Sequence, residues 1–238
     1  SPENAHAMMY LVCDNRRALA ETWSVLRFHL RDDAGTMAQF DYALHETSAF
    51  NMVEELWKDV TLVVTSLRAQ VYINAVQVLD GEFSFDTKAQ VVSNAAYRHP
   101  GSFRETMTTF TMLSPIYIGG FPHRRKDRHF RGKMAGVYIS EIPFSAGQVR
   151  CMFSDLEIYL PTSLNEGCDA LPDVELSVSF LADSEGAEDI SEYGQEIHLH
   201  GDAHTSPGGL VLDGTRDFAT VEHFDYAVDA DFTISFWM

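Results

Sequence analysis

A period of two runs through this chain. The stretches from Val25 to Leu30, Val60 to Thr65 and Gln70 to Val76 are short, β-branched and aromatic, and alternation at that period sends successive side chains to opposite faces of a strand. Between such runs stand turn formers, notably Asp33-Ala34-Gly35, Asp80-Gly81 and Gly119-Gly120. Their spacing is that of antiparallel strands rather than of strands alternating with helices. The chain therefore reads as all-β, an antiparallel two-sheet sandwich.

Helical signal is scarce. The best candidate runs from Ser145 to Phe153, where the Ser145 hydroxyl is placed to cap the first turn. It reads as a lid on a sheet edge. From about Ser154 to Asp173 the alternation dissolves into Pro161, Asn165-Glu166-Gly167 and Pro172, which is linker chemistry. Alternation resumes at Asp173 to Leu181, Glu196 to His200, Gly208 to Gly214, Phe218 to Glu222 and Asp231 to Trp237. The expected organisation is a first domain over 1–155, a linker over 156–172 and the front of a second domain over 173–238.

Composition narrows the partners. With 238 residues and 45% hydrophobic content the chain can bury one full core or more. Thirty-five acidic against 17 basic residues give a net charge of -18, which opposes bulk attraction to phosphate backbones and anionic membranes. Nucleic acid is not an expected partner. No apolar stretch approaches the roughly 20 residues of a bilayer-spanning helix, so no transmembrane segment is expected. Cys13, Cys151 and Cys168 have no zinc-site spacing and leave room for one bridge. No Asn-x-Ser/Thr acceptor occurs, so glycosylation gives no sign of export.

The order of these strands resembles laminin G-like and pentraxin-like domains, the concanavalin A-type jelly rolls. Residues 173–237 are similar to the opening of such a domain, through Leu176 to Phe180, the turn from Asp189 to Gly194, Leu212 to Phe218, and Phe232 to Trp237. Residues 8–153 are similar to its closing part, through Trp57 to Val64, Val71 to Val78, Ile116 to Gly120 and Phe130 to Ile139. Two arrangements follow. In one, the chain is a cut from a tandem array in which each domain lacks a half. In the other, the C-terminal strands complete the N-terminal ones, within one chain or by exchange between chains.

The resemblance implies a jelly-roll binding or adhesion module of a multi-domain protein, extracellular or at the cell surface, taking glycan or an acidic protein surface as partner. The strongest local anomaly agrees in direction. Pro122 to Lys133 is a basic loop in an acidic chain, and Arg124, Arg125, Lys126, Arg128 and Arg131 suit bidentate contact with sulfate or carboxylate. The resemblance also implies a rim calcium, with Asp32 or Asp33 as one ligand and Ser140 or Glu141 as the other, where the family usually has Asn or Asp. In the second half, Asp213 and Asp217 flank a turn and could also hold an ion, although turn Asp residues more often bond their own backbone.

Other chemistry has less to stand on. Glucanases of this fold need carboxylates alternating along one strand, and the nearest groups, Asp80 with Glu82 and Glu188 to Glu192, sit in turn-like sequence. No catalytic motif is visible, so the chain is not read as an enzyme. His198 and His200 share a strand face at metal-pair spacing, with His204 nearby, but no third ligand is evident. Trp23, Trp57 and Trp237 read as core. The alternative to a recognition module is a structural repeat in a fibrous, surface or intracellular assembly, with neighbouring domains or chains around it and the basic loop docked on an acidic neighbour.

Overall fold

The computed structural model describes residues 8–18, 21–31, 37–44, 57–65, 68–82, 110–112, 116–120, 129–157, 176–180, 187–222, 226–228 and 231–238. In chain order the strands begin with β1 (Met8–Ala18), β2 (Glu21–Arg31), β3 (Met37–Leu44), β4 (Asp59–Val64), β5 (Arg68–Ile73) and β6 (Val76–Glu82). Next come β7 (Phe110–Met112), β8 (Ile116–Ile118), β9 (Arg131–Met134) and β10 (Gly136–Ser140), then the helix α1 (Ala146–Glu157). The remainder are β11 (Leu176–Ser179), β12 (Glu188–Asp189), β13 (Ile197–His200), β14 (His204–Ser206), β15 (Gly209–Asp213), β16 (Phe218–Val221), β17 (Tyr226–Val228) and β18 (Phe232–Trp237). Every pairing among them is antiparallel. The described chain is therefore all-β with one helix, as its period of two predicts.

The main sheet has the order β12-β11-β10-β18-β4-β5-β6. Smaller sheets run β13-β16-β8, β14-β15-β9, β17-β7 and β1-β2-β3. At the centre of the main sheet β18 lies between β4 and β10, with Ile234 opposite both Leu62 and Ile139. Strands from both sides of the 156–172 stretch thus share one ladder. Alternation explains how one buried core forms: Val60, Leu62 and Val64 of β4, and Phe232 and Phe236 of β18, point to the same side. They pack there against Ile118 of β8, Met134 of β9, Leu210 and Leu212 of β15, and Ala219 and Val221 of β16.

The opposite face of the main sheet carries Val63 of β4 and Tyr72 of β5, which pack against Phe144, Val149 and Met152. α1 therefore covers the middle of the sheet. The sequence places it at an edge; instead its apolar residues seat on Val63 and Tyr72, inside the edge strand β6. Coverage on both sides is why β4 is buried at every position. The Ser145 cap forms as expected: Ser145 Oγ accepts from Gln148 N (3.3 Å), and Gln148 Oε1 accepts from Ser145 N (2.8 Å). This is a reciprocal capping pair.

Two turn assignments shift. Asp80 and Gly81 lie inside β6, opposite Gln70 and Ala69. The hairpin instead turns at Asn74 and Ala75, both left-handed at φ 49° and 58°, in the middle of what reads as one strand. Asn tolerates that conformation and twists with the hairpin. Its amide is also fixed from outside, since Asp59 N donates to Asn74 Oδ1 at 3.0 Å and Asn74 N donates to Asp59 O at 3.0 Å.

Candidate functional site

Three turns meet at one rim, and a single carboxylate joins two of them. Asp217, at the entry to β16, is buried. Its Oδ1 accepts from Asp202 N in the β13–β14 turn, and its Oδ2 accepts from Asp213 N where β15 enters the β15–β16 turn, both at 2.8 Å. The third turn follows β8 at Gly119 and Gly120, and Phe130 N closes its base by donating to Gly119 O at 2.7 Å.

Glycine makes the approach possible. A Cβ on Gly120 would lie 2.3 Å from His129 Nδ1 and 2.9 Å from Asp217 O. One on Gly201 would lie 2.6 Å from Asp217 Oδ1. Any side chain at either position forces the turns apart. His129 Nδ1, pressed against Gly120, is buried without a hydrogen-bond partner. The two ends of the 121–128 stretch are thus bolted to a rim of acidic turns.

Arg131 opens β9 and is exposed, directly opposite Asp213 of β15. Asp213 bonds Thr215 through both its oxygens. Those bonds hold its carboxyl below the usual carboxylate range. The Asp213 and Asp217 carboxylates are therefore spent on backbone and hydroxyl groups, the bland outcome for turn aspartates. Arg124, Arg125, Lys126 and Arg128 lie outside the described residues, as do Asp32 and Asp33. Glu141 is exposed just past β10, while Ser140 is buried and its Oγ accepts from Ile142 N at 3.2 Å.

Comparison with family models, curated proteins and solved structures finds no match to this chain. The site is therefore read from its geometry alone.

His198 and His200 share a face of β13, while His204 lies on β14 of the neighbouring β14-β15-β9 sheet, and the three do not converge. His200 Nε2 bonds Thr220 Oγ1 at 2.9 Å and its ring stacks on Phe218 at 4.4 Å. His198 sits 3.3 Å from Glu196, and His204 Nδ1 bonds Asp202 O at 3.0 Å. Among the described residues no group of three or more His, Cys, Asp or Glu is placed to hold a metal ion. Of the carboxylates weighed for hydrolysis, Asp80 pairs with Arg68 at 3.0 Å and Glu192 is exposed. Asp189 is buried and accepts from Ser177 N, Ser191 N, Ser191 Oγ and Gln195 N, so it organises the turn after β12.

A second polar cluster escaped the sequence reading. On the α1 side of the main sheet, Ser235 Oγ lies 2.8 Å from Asp59 Oδ1, Thr61 Oγ1 lies 3.2 Å from Asp59 Oδ2, and the two hydroxyl oxygens are 2.9 Å apart. All three residues are buried. Residues 61 and 235 meet only because β18 inserts beside β4. The one trace in sequence is a polar residue at alternate positions of two otherwise apolar runs. Trp237 stands beside Asp59 in the same register, stacked on Phe153 of α1 at 5.5 Å and 8°. Trp57, read as core, is 37% exposed.

Proposed function

We propose that the chain is a non-catalytic recognition module, a laminin G-like jelly roll that takes an anionic ligand, sulfated or carboxylated glycan, at the basic stretch between Gly120 and Arg131. The observation that carries the reading is the root of that stretch: Gly120 and His129 at its two ends are pressed together against the Asp217 backbone, beside the two turns that the Asp217 carboxylate ties, so both ends are fixed at the rim of the sheets, the usual place for recognition. The acidic turns around Asp202, Asp213 and Asp217 repel an anionic ligand and leave the arginines of the stretch as the attractive groups. Bidentate Arg contacts supply the affinity for sulfate or carboxylate. The Cys151 disulfide supports an extracellular or cell-surface setting.

The test is binding of the full chain to immobilised heparin and to unsulfated heparosan across a salt series. Binding is expected to weaken steeply with salt and to fall at least tenfold when Arg124, Arg125 and Arg128 are reversed to Glu. Arg131→Glu alone is expected to cost less, because Asp213 already faces that charge. Retention of binding by the triple variant, or salt-independent binding, sinks the proposal.

A further inference from the structure

The buried contacts on the α1 side pose a problem of proton counting. Three oxygen-to-oxygen contacts close a ring: Asp59 Oδ1 to Ser235 Oγ (2.8 Å), Ser235 Oγ to Thr61 Oγ1 (2.9 Å), and Thr61 Oγ1 to Asp59 Oδ2 (3.2 Å). Each needs one hydrogen between its oxygens, and the two hydroxyls supply two. The third must come from the carboxyl. With Asp59 protonated, Oδ2–H donates to Thr61, Thr61 donates to Ser235, and Ser235 donates to Oδ1, so every oxygen in the ring is satisfied. With Asp59 ionised, one of the three contacts sets lone pair against lone pair in a site without water access.

We infer that Asp59 is held as a neutral carboxylic acid beneath α1, and that its ionisation loosens the helix from the sheet, making α1 a pH-sensitive cover.

The direction of opening follows from the packing. Asp59, Thr61 and Ser235 lie on the face that also bears Val63 and Trp237, and α1 covers that face through Phe144, Val149, Met152 and Phe153. The covering segment is itself pinned to β18, since Phe144 N donates to Thr233 Oγ1 and the Thr233 hydroxyl donates to Ile142 O, both at 2.8 Å. Hydrating the carboxylate requires lifting only this small layer. The large apolar cluster on the other face of β4 and β18 stays packed. Local opening is therefore cheaper than global unfolding.

Burial pushes the Asp59 carboxyl up to about 6 against an ordinary 3.8, with the Ser235 and Thr61 bonds opposing it. The other titratable or charged side chains described around it are Lys58 beside it on the chain, Arg68 and Tyr72 on β5, Asp80 on β6, Tyr138 on β10 and Arg150 on α1. Arg68 is bonded to Asp80. Tyr72 is itself pushed up, first by burial, then by Asp80. Because the closed state keeps the Asp59 proton to a higher pH than the open state, closing takes up a proton between pH 3.8 and about 6. Raising pH through that window favours opening, by about tenfold between pH 5 and 7.5.

The experiment is hydrogen exchange of the full chain, followed in peptides covering residues 146–157 from pH 4.5 to 8 and corrected for the intrinsic rate. The opening constant of α1 is expected to rise about tenfold from pH 5 to 7.5, with strands β15 and β16 unaffected. In Asp59→Asn the profile is expected to be flat, since the amide donates to Thr61 and accepts from Ser235 as the neutral acid does. A flat wild-type profile overturns the inference, and so does the same rise in Asp59→Asn. Should Asp59→Asn fail to fold, Ser235→Ala decides: it deletes two of the three ring contacts and is expected to move the midpoint, and an unmoved midpoint overturns the inference.

Discussion

The two faces of the main sheet are built from the same strands and to different ends. On the inner face, Val60, Leu62, Val64, Phe232 and Phe236 meet apolar residues of β8, β9, β15 and β16 in one continuous cluster. On the outer face, the intervening residues of β4 and β18 are Asp59, Thr61, Val63, Thr233, Ser235 and Trp237, and what covers them is one helix with a small apolar seat. Alternation alone makes the two sets independent. The inner face supplies cohesion; the outer face buries polar groups whose satisfaction depends on a proton and on a removable layer. Stability and responsiveness are thus separated by one residue of register.

The first way to break that division is to truncate one anchor on each side. Phe232→Ala removes a ring from the inner cluster and is expected to cost about 3–5 kcal/mol, enough to unfold much of a marginally stable domain. Val149→Ala removes two methyls from the α1 seat and is expected to cost about 1–2 kcal/mol. Urea denaturation followed by far-ultraviolet circular dichroism checks both. Equal losses, or a larger one for Val149→Ala, would mean that α1 belongs to the main cooperative unit.

How much of this was legible beforehand differs between the faces for a physical reason. The inner face is written in the alternation of Val60, Leu62 and Val64, and of Phe232, Ile234 and Phe236, so strand identity and all-β class follow from period alone. The α1 cap is local, and Ser145 announces it. The outer cluster is not local: Asp59 and Ser235 are neighbours only because β18 enters between β4 and β10, and strand order in space has no period to read. The hairpin turn was misplaced for a related reason. Asn74-Ala75 lacks the glycine that marks such turns, and Asp80-Gly81, which has it, is held in a strand by its ladder to β5. The rim lies between these cases. Gly119-Gly120 marked a turn, but the tie from Asp217 to Asp202 and Asp213 depends on three turns meeting.

A smaller effect sharpens the comparison. Ser145→Ala deletes the side-chain acceptor for Gln148 N at the start of α1, and loss of such a cap typically costs about 1 kcal/mol. If α1 opens on its own, that cost falls on the helix. Exchange protection of residues 146–157 is expected to drop about fivefold, while the urea midpoint for the β-sheet signal stays in place. A shift of that midpoint by the full amount would join α1 to the inner core.

The smallest expected effect concerns Trp237, where two terms of opposite sign meet. Its indole Nε1 is buried without a hydrogen-bond partner, and an unsatisfied buried donor costs about 1–3 kcal/mol. Its ring also stacks on Phe153 of α1 at 5.5 Å, and such aromatic pairs contribute about 0.5–1.5 kcal/mol beyond their area. Trp237→Phe abolishes the orphan donor and keeps a ring for Phe153, at the expense of the lost volume. The terms nearly cancel, so stability at pH 5 is expected to change by less than about 1 kcal/mol. Trp237→Ala surrenders the stack as well and opens a cavity beside Asp59. Water entering there solvates the carboxylate in the closed state, so the pH at which α1 loosens should move down toward the ordinary carboxylate range. That pair of variants separates the ring that holds the helix from the donor that the outer face tolerates: unchanged pH dependence in both would show that Asp59 does not sense what α1 covers.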